Sequence, residues 1–267
     1  LVCKFRKKVN NVFCAIDVGN THTVLGLFEG ETLIESWRLR SDKERTADEW
    51  GINFNSLFSM RGLSIHTVSA AAVASVVPPA THAVRQACVR YFGVEPLIVG
   101  PGVKTGVSIR YENPREVGAD RIVNAVAGYD KCKRACIVVD FGTATTFDCI
   151  SADGEYLGGA ITPGIATSLD ALASKTSKLP RVEIGLPRHA IGRNTVESIQ
   201  SGVLFGYVSL VDGMVKRLSK EMGGSVAVIA TGGLAEIIAH ESEAIEQVDA
   251  NLTLNGLRLI FALNQAG

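Results

Sequence analysis

The sequence predicts an α/β protein made of two related halves. Three observations lead there. Runs rich in Val and Ile alternate with stretches of helical spacing. One strand-turn-strand pattern, with Asp-x-Gly at the end of its first strand, occurs twice. The 267 residues are enough for two small domains, each with its own core.

Taken in order, strands are expected over residues 12–16, 23–28, 67–76, 97–99, 135–139, 145–150 and 226–230, where β-branched and apolar residues cluster. Between them, residues 46–60 read as a helix opened by Thr46, with Glu49 three positions on as the partner of a capping box. Residues 121–131 carry apolar groups at helical spacing, and 195–220 are long enough for several turns. A short helix is expected over 234–239. The segment Gly158-Gly159-Ala160-Ile161-Thr162-Pro163-Gly164 reads as a loop with no assigned chemistry.

The repeated pattern carries the chemistry. Its first copy is Asp17-Val18-Gly19-Asn20-Thr21, returning along 23–28; its second is Asp140-Phe141-Gly142-Thr143-Ala144-Thr145, returning to Ile150. Each ends an apolar strand on a carboxylate, then supplies a glycine where a turn can need positive φ, then hydroxyl or amide groups. Such a hairpin mouth suits phosphates bound with Mg²⁺. Asp-x-Gly also marks hairpins with no ligand, but two copies in matching contexts favour a shared function. A third element, Thr231-Gly232-Gly233, lies between a strand and a helix, where small residues let a base or a phosphate approach the backbone.

Bulk properties narrow the class. Lys plus Arg and Asp plus Glu each total 27, so no net field draws the chain to nucleic acid or anionic lipid. With no helix-turn-helix signature either, no nucleic-acid partner is expected. No run reaches the roughly 18 apolar residues of a membrane span, and no membrane partner is expected. Residues 1–11 form a basic extension with Lys4, Arg6, Lys7 and Lys8, and the apolar run behind it is too short for a secretory core. Of the 6 cysteines only Cys132 and Cys136 are close in sequence, and the 5 histidines show no zinc spacing relative to them. Reduced structural thiols and a cytoplasmic location are expected.

The stretches AIDVGNTHTVLGLF, RTADEW, SVVPP, YENPREVGADR, VVDFGTATTFD, GGAITPGI, IGRNTVESIQSGVLFGY and ATGGLA, in this order, resemble the type III pantothenate kinase family. That family lies within the actin-like ATPase superfamily of acetate and sugar kinases and Hsp70 chaperones. The resemblance implies two actin-like (ribonuclease H-like) domains, 12–124 and 125–267, with an interdomain ATP cleft. It also implies transfer of the ATP γ-phosphate to pantothenate, the first step toward coenzyme A. Alternatives are a kinase for another small hydroxy acid or sugar, and a nucleotide-binding regulator of the same fold.

By the same resemblance, Asp17, Val18, Gly19, Asn20, Thr21, His22, Thr23 and Val24 form the first phosphate loop, and Asp17 orients Mg²⁺ through water. Thr143, Gly232 and Gly233 complete the ATP contacts. Asp140 holds a monovalent cation, K⁺ or NH₄⁺, which fits a first loop without lysine. Asp120, in Gly118-Ala119-Asp120-Arg121, is the general base; as a residue type it serves equally as a helix N-cap. Tyr111, Gly118, Ala119, Arg121 and Thr195 contact pantothenate, although Tyr111 could be a packed aromatic and Asn194 or Thr195 a helix cap. The family is homodimeric. The stripe Val203, Phe205, Tyr207 and Leu210 could supply that contact or belong to the chain's own core.

Overall fold

The computed structural model describes residues 11–265. Residues 1–10, where most of the basic extension falls, and 266–267 lie outside the described residues. The chain forms two compact units. One holds the residues up to Gly106, Arg115–Val123 and the chain from Thr253 onward; the other holds Val107–Pro114 and Asn124–Leu252.

In the first unit, strands β1 (Val12–Val18), β2 (His22–Glu29), β3 (Thr32–Arg40), β4 (Val68–Ser75) and β5 (Leu97–Ile98) form a sheet in the order β3-β2-β1-β4-β5. The first three strands run antiparallel, while β4 joins β1 in parallel. Helix α1 (Ala47–Met60) covers one face with Trp50, Phe54 and Phe58, spaced four apart so that all three point inward. Helix α2 (Pro78–Ala87) packs on the same core through Ala80, Val84 and Ala87. Thr46 and Glu49 form the expected capping box on α1. The opposite face of the sheet receives the last helix, α7 (Leu252–Gln265). There Phe261 stacks on Phe13 with ring centroids 4.7 Å apart. A Cβ on Gly26 would lie 2.7 Å from Leu254, so β2 and α7 approach where no side chain intervenes.

The second unit repeats that plan. Strands β6 (Cys136–Phe141), β7 (Ala144–Ile150), β8 (Tyr156–Pro163), β9 (Ala227–Gly232) and β10 (Gln247–Val248) form a sheet in the order β10-β9-β6-β7-β8. Again three strands run antiparallel and the fourth joins the first in parallel. Helix α5 (Thr195–Glu221) and α6 (Ala235–Ala239) cover one face, with α4 (Ile165–Lys175) after β8. Helix α3 (Ala119–Cys132) contains the boundary between the units.

Three readings of the sequence change. The segment expected as a loop, Gly158 to Gly164, lies mostly in β8, where Ala160 pairs with Phe147 and Ile161 with Thr146; its glycines have no side chain to show the two-residue period. Where a single division at 124/125 was expected, the units part between Val123 and Asn124 inside α3, with Val107–Pro114 in the second unit and the residues from Thr253 onward in the first. On α5, Tyr207 is buried and Val203 and Leu210 pack against the second core, so these three serve the chain's own interior. That helix is long and apolar enough by composition to cross a membrane. Its buried residues Leu204, Val208, Val211 and Val215, however, pack in the core of its own unit.

The five described cysteines, Cys14, Cys88, Cys132, Cys136 and Cys149, are free thiols. Burial raises the Cys88 thiol to about 12, with Glu95 adding to it.

Candidate active site

In the first unit, β1 delivers Asp17 half-buried at its end, opposite Val24 on β2 and Ala74 on β4. The turn that follows is tight: the Gly19 N–H donates to the His22 carbonyl at 3.0 Å. A Cβ on Gly19 would stand 3.0 Å from that same oxygen. Neither Gly19 nor Gly142 has the positive φ expected of them, so these glycines serve close approach of backbone instead. Ser41, just past β3, clasps the loop. Its hydroxyl donates to the Gly19 carbonyl at 2.7 Å and its N–H to the Thr21 carbonyl at 2.9 Å. The Ser41 and Thr23 hydroxyls are also 2.9 Å apart. Asn20, Thr21 and His22 are exposed at the tip, while Thr23 is buried. The His22 imidazole is pushed below its ordinary value first by partial desolvation of its ring against the loop, then by the charges of Arg38 and Arg40.

The same unit holds Gly118 to Arg121. Asp120 lies in the first turn of α3 rather than at its cap, and its Oδ1 accepts the Arg121 N–H at 2.8 Å. That corrects the N-cap alternative: the helix opens at Ala119, one residue before Asp120. Gly118 makes the rotamer possible, since a Cβ there would lie 2.5 Å from Asp120 Oδ1. Burial raises the Asp120 carboxyl above its ordinary value, and the Arg121 N–H and charge pull it partly back. Arg121 is buried.

The second unit holds the rest. Asp140 ends its apolar strand half-buried, and its Oδ2 accepts the Asn124 side-chain amide at 2.9 Å. Gly232, at φ +94°, borders the other oxygen: a Cβ there would lie 2.7 Å from Asp140 Oδ1. Thr143 is exposed, and its carbonyl accepts the Gly164 N–H at 3.0 Å and the Thr167 hydroxyl at 2.7 Å. Gly164 fits only as glycine, because a Cβ would meet the Gly142 carbonyl at 2.4 Å. Tyr207 bonds the Thr145 hydroxyl at 3.1 Å and also the Pro163 carbonyl. Gly233 is exposed just beyond β9.

Tyr111 is half-buried, tilted against Tyr156 at 6.4 Å between ring centroids and lying over Gly158. Thr195 is exposed at the first position of α5, and Asn194 rather than Thr195 is the cap, accepting the Glu197 N–H at 2.9 Å. Residues Gly192 to Thr195, with Leu172 and Ser198 among others, line a cavity of about 620 Å³. No residue of either hairpin lines it.

Among the described residues no three His, Cys, Asp or Glu side chains gather as a metal cluster. Asp17, Asn20 and Thr21 offer the few hard oxygen donors that suffice for Mg²⁺ held chiefly by phosphate and water. The Asp140 carboxylate, beside a glycine that keeps the adjoining space clear of a side chain, fits a larger cation. The sequence missed Ser41, Asn124, Gly164, Thr167, Arg38 and Arg40, all of which act on the hairpins from elements distant in the chain.

A family model described as type III pantothenate kinase matches residues 13–217. A type III pantothenate kinase from Anaeromyxobacter sp. (strain Fw109-5) is 58% identical over 94% of this chain and 99% of its own length. Among solved structures, a conserved protein of the Baf transcriptional-activator family from Campylobacter jejuni superposes with a TM-score of 0.60 at 18% identity, over 95% of this chain and all 100% of its own. An inorganic polyphosphate/ATP-glucomannokinase from Arthrobacter sp. strain KM does so with a TM-score of 0.51 at 14% identity, over 96% of this chain and 100% of its own. At these identities the structures speak for the fold alone.

Proposed function

The chain belongs to the type III pantothenate kinase family, and from that premise we propose how its residues divide the work. The protein is an ATP-dependent pantothenate kinase with the actin-like fold. It transfers the γ-phosphate of ATP to the pantothenate hydroxyl, giving 4'-phosphopantothenate, the first step of coenzyme A biosynthesis.

Phosphoryl transfer needs reactants in line and stabilisation of the charge on the moving group, with little covalent chemistry from the protein. Asp120 is the general base. Its carboxylate takes the proton of the pantothenate hydroxyl as that oxygen bonds to the γ-phosphorus and the bridging bond to ADP breaks. The observation that carries this assignment is the Asp120 carboxyl, half-buried, made more basic by burial and fixed by Gly118 and the Arg121 N–H. Arg121, buried beside it, pairs with the pantothenate carboxylate, and Gly118, Ala119, Tyr111 and Thr195 complete the acceptor contacts.

Asn20, Thr21 and the backbone of residues 17–24 hold phosphate oxygens, and Asp17 would hold Mg²⁺ beside them. When bound, Mg²⁺ neutralises charge on the phosphates. Thr143 contacts ATP, Gly232 and Gly233 accommodate the adenosine side, and Asp140 holds K⁺ or NH₄⁺. The enzyme acts as a cytoplasmic homodimer without nucleic-acid or membrane partners.

An assay of ATP-dependent pantothenate phosphorylation, run with and without K⁺, tests this reading. Turnover that requires K⁺ or NH₄⁺ and falls about 10²–10⁴-fold in Asp120→Asn is expected. Phosphorylation of other hydroxy acids or sugars in preference to pantothenate would overturn the substrate assignment.

A further inference from the structure

The first hairpin has no lysine, yet the structure gives it two positive charges from another strand. Arg38 stands opposite Val24, which stands opposite Asp17, so the three form one row across the sheet with side chains on the same face. Two strand spacings separate the Cα atoms of Asp17 and Arg38, about 10 Å, a gap that a long guanidinium side chain largely closes. Arg40 stands opposite His22 at the tip. The next residue, Ser41, is hydrogen-bonded to the Gly19 and Thr21 carbonyls, so the end of β3 and the loop are held as one piece. Both arginines act on the His22 ring through their charge.

Their surroundings set these two apart. Elsewhere in this unit Arg61, Arg85, Arg90 and Arg258 each face an acid, Glu35, Glu95, Asp48 and Glu31, and Arg45 lies over the Trp50 ring at 4.7 Å. Among the described residues, Arg38 and Arg40 have no ion pair or side-chain hydrogen bond, and both are exposed. Two cations beside a histidine repel one another unless an anion joins them.

The second half supplies an internal comparison. There the matching row is Asp140, Thr146 and Ile161, and the position matching Arg40 is Pro163, opposite Ala144. Ile161 is exposed and uncharged. Charged edge residues also discourage strand pairing, but β8 is an edge strand too and manages without arginine at these places. Protecting an edge strand therefore does not by itself require arginine at these places.

We infer that Arg38 and Arg40 form a second wall of the phosphate site, contacting β- and γ-phosphate oxygens of the ATP bound by the first hairpin. This rests on reading residues 17–24 as the phosphate loop. The two hairpins then meet the same electrostatic need differently, the first with guanidinium groups and the second with a bound monovalent cation. Guanidinium also presents a planar fork to phosphate oxygens, which an ammonium group does not.

The test compares Arg38→Gln, Arg40→Gln, the double variant and the double Lys variant with the intact enzyme. ATP, ADP and adenosine binding is followed by calorimetry, alongside steady-state kinetics. Each Gln substitution should weaken ATP binding roughly tenfold, the lower range for a charge-assisted hydrogen bond at an exposed site. The double variant should lose more, and its ATP affinity should depend less on salt. ADP should be weakened less than ATP, adenosine not at all, and the Lys variant should recover part of the loss. Unchanged ATP affinity in a folded double Gln variant would overturn the inference, as would a loss confined to the KM for pantothenate. If the double Gln variant aggregates, the single variants and the double Lys variant decide. The intact enzyme separates the two levels: if it fails to phosphorylate pantothenate, the functional reading fails; if it succeeds while the variants bind ATP normally, only the arginine assignment does.

Discussion

Asp120 meets opposing demands, and its chemistry makes a testable combination of effects. Burial raises its carboxyl, so the folded chain keeps this proton to a higher pH than the unfolded chain does. The stability it contributes is therefore lost as pH rises from the ordinary carboxylate value through the raised one, and a penalty remains at neutral pH. Asp120→Asn removes that penalty while keeping an oxygen for the Arg121 N–H. Its Tm at pH 7 should rise while kcat falls about 10²–10⁴-fold; a fall in both would show that Asp120 serves the fold instead. His22 runs the other way. Its lowered value means the folded chain binds fewer protons than the unfolded one, so stability falls as pH drops through the ordinary 6.5 toward the folded value. Arg38→Gln should move the His22 titration upward, as proton NMR of the ring would record. Asp17 and Asp140 stood out as candidates because a carboxylate ending an apolar strand two residues before a glycine is a local pattern, whereas Asp120 entered only through the family resemblance. Ser41, Asn124 and Arg38 were not legible, because each reaches the hairpins through strand register or helix phase that no short window contains.

At the scale of elements, glycine and the caps decide how rigid the hairpins are. Gly164 caps α4 while touching the carbonyls of Gly142 and Thr143. Gly164→Ala must push the second hairpin aside, and kcat/KM for ATP should fall on the order of 10²-fold, the cost of misplacing a reacting group by about 1 Å. Retained circular dichroism would separate this from unfolding. Thr46→Ala removes the arm of the α1 capping box in which the Thr46 hydroxyl accepts the Glu49 N–H, and leaves the backbone N–H of residue 46 bonded to Glu49. It should cost about 1 kcal/mol, seen as a lower urea midpoint at unchanged slope. That box was legible, since Thr-x-x-Glu before an apolar-periodic run is a local signal. Among the elements that escaped the reading, three did so for separate reasons. Helix α2 begins on Pro78 and Pro79, since proline fits the first helical turn, where its missing N–H has no intrahelical partner to lose. Strand β3 is an edge strand whose charged residues alternate with Trp37 and Leu39. Strand β8 carries two glycines where the alternation should show.

On the whole-molecule scale, the sequence disclosed two related halves from two short motifs, and the structure extends the likeness to all five strands of each sheet. What stayed hidden was where α7 packs, because its partner surface is set more than two hundred residues earlier in the chain. Leu254, Leu257 and Ile260 on α7 are buried, and their loss should cost about 5 kcal/mol or more, comparable to the roughly 5–15 kcal/mol that holds a typical domain together. A chain ending at Leu252 should therefore lose its first unit to proteolysis and keep protease-resistant fragments from the second. That dependence also sets a timetable during synthesis. The ribosome emits the first sheet early, but the helix that seals its far side emerges only after every strand of the second sheet has left the exit tunnel. The first unit must wait, half-clothed, while the one encoded behind it matures, so chaperones should engage nascent chains of this protein through that bare sheet until α7 has emerged.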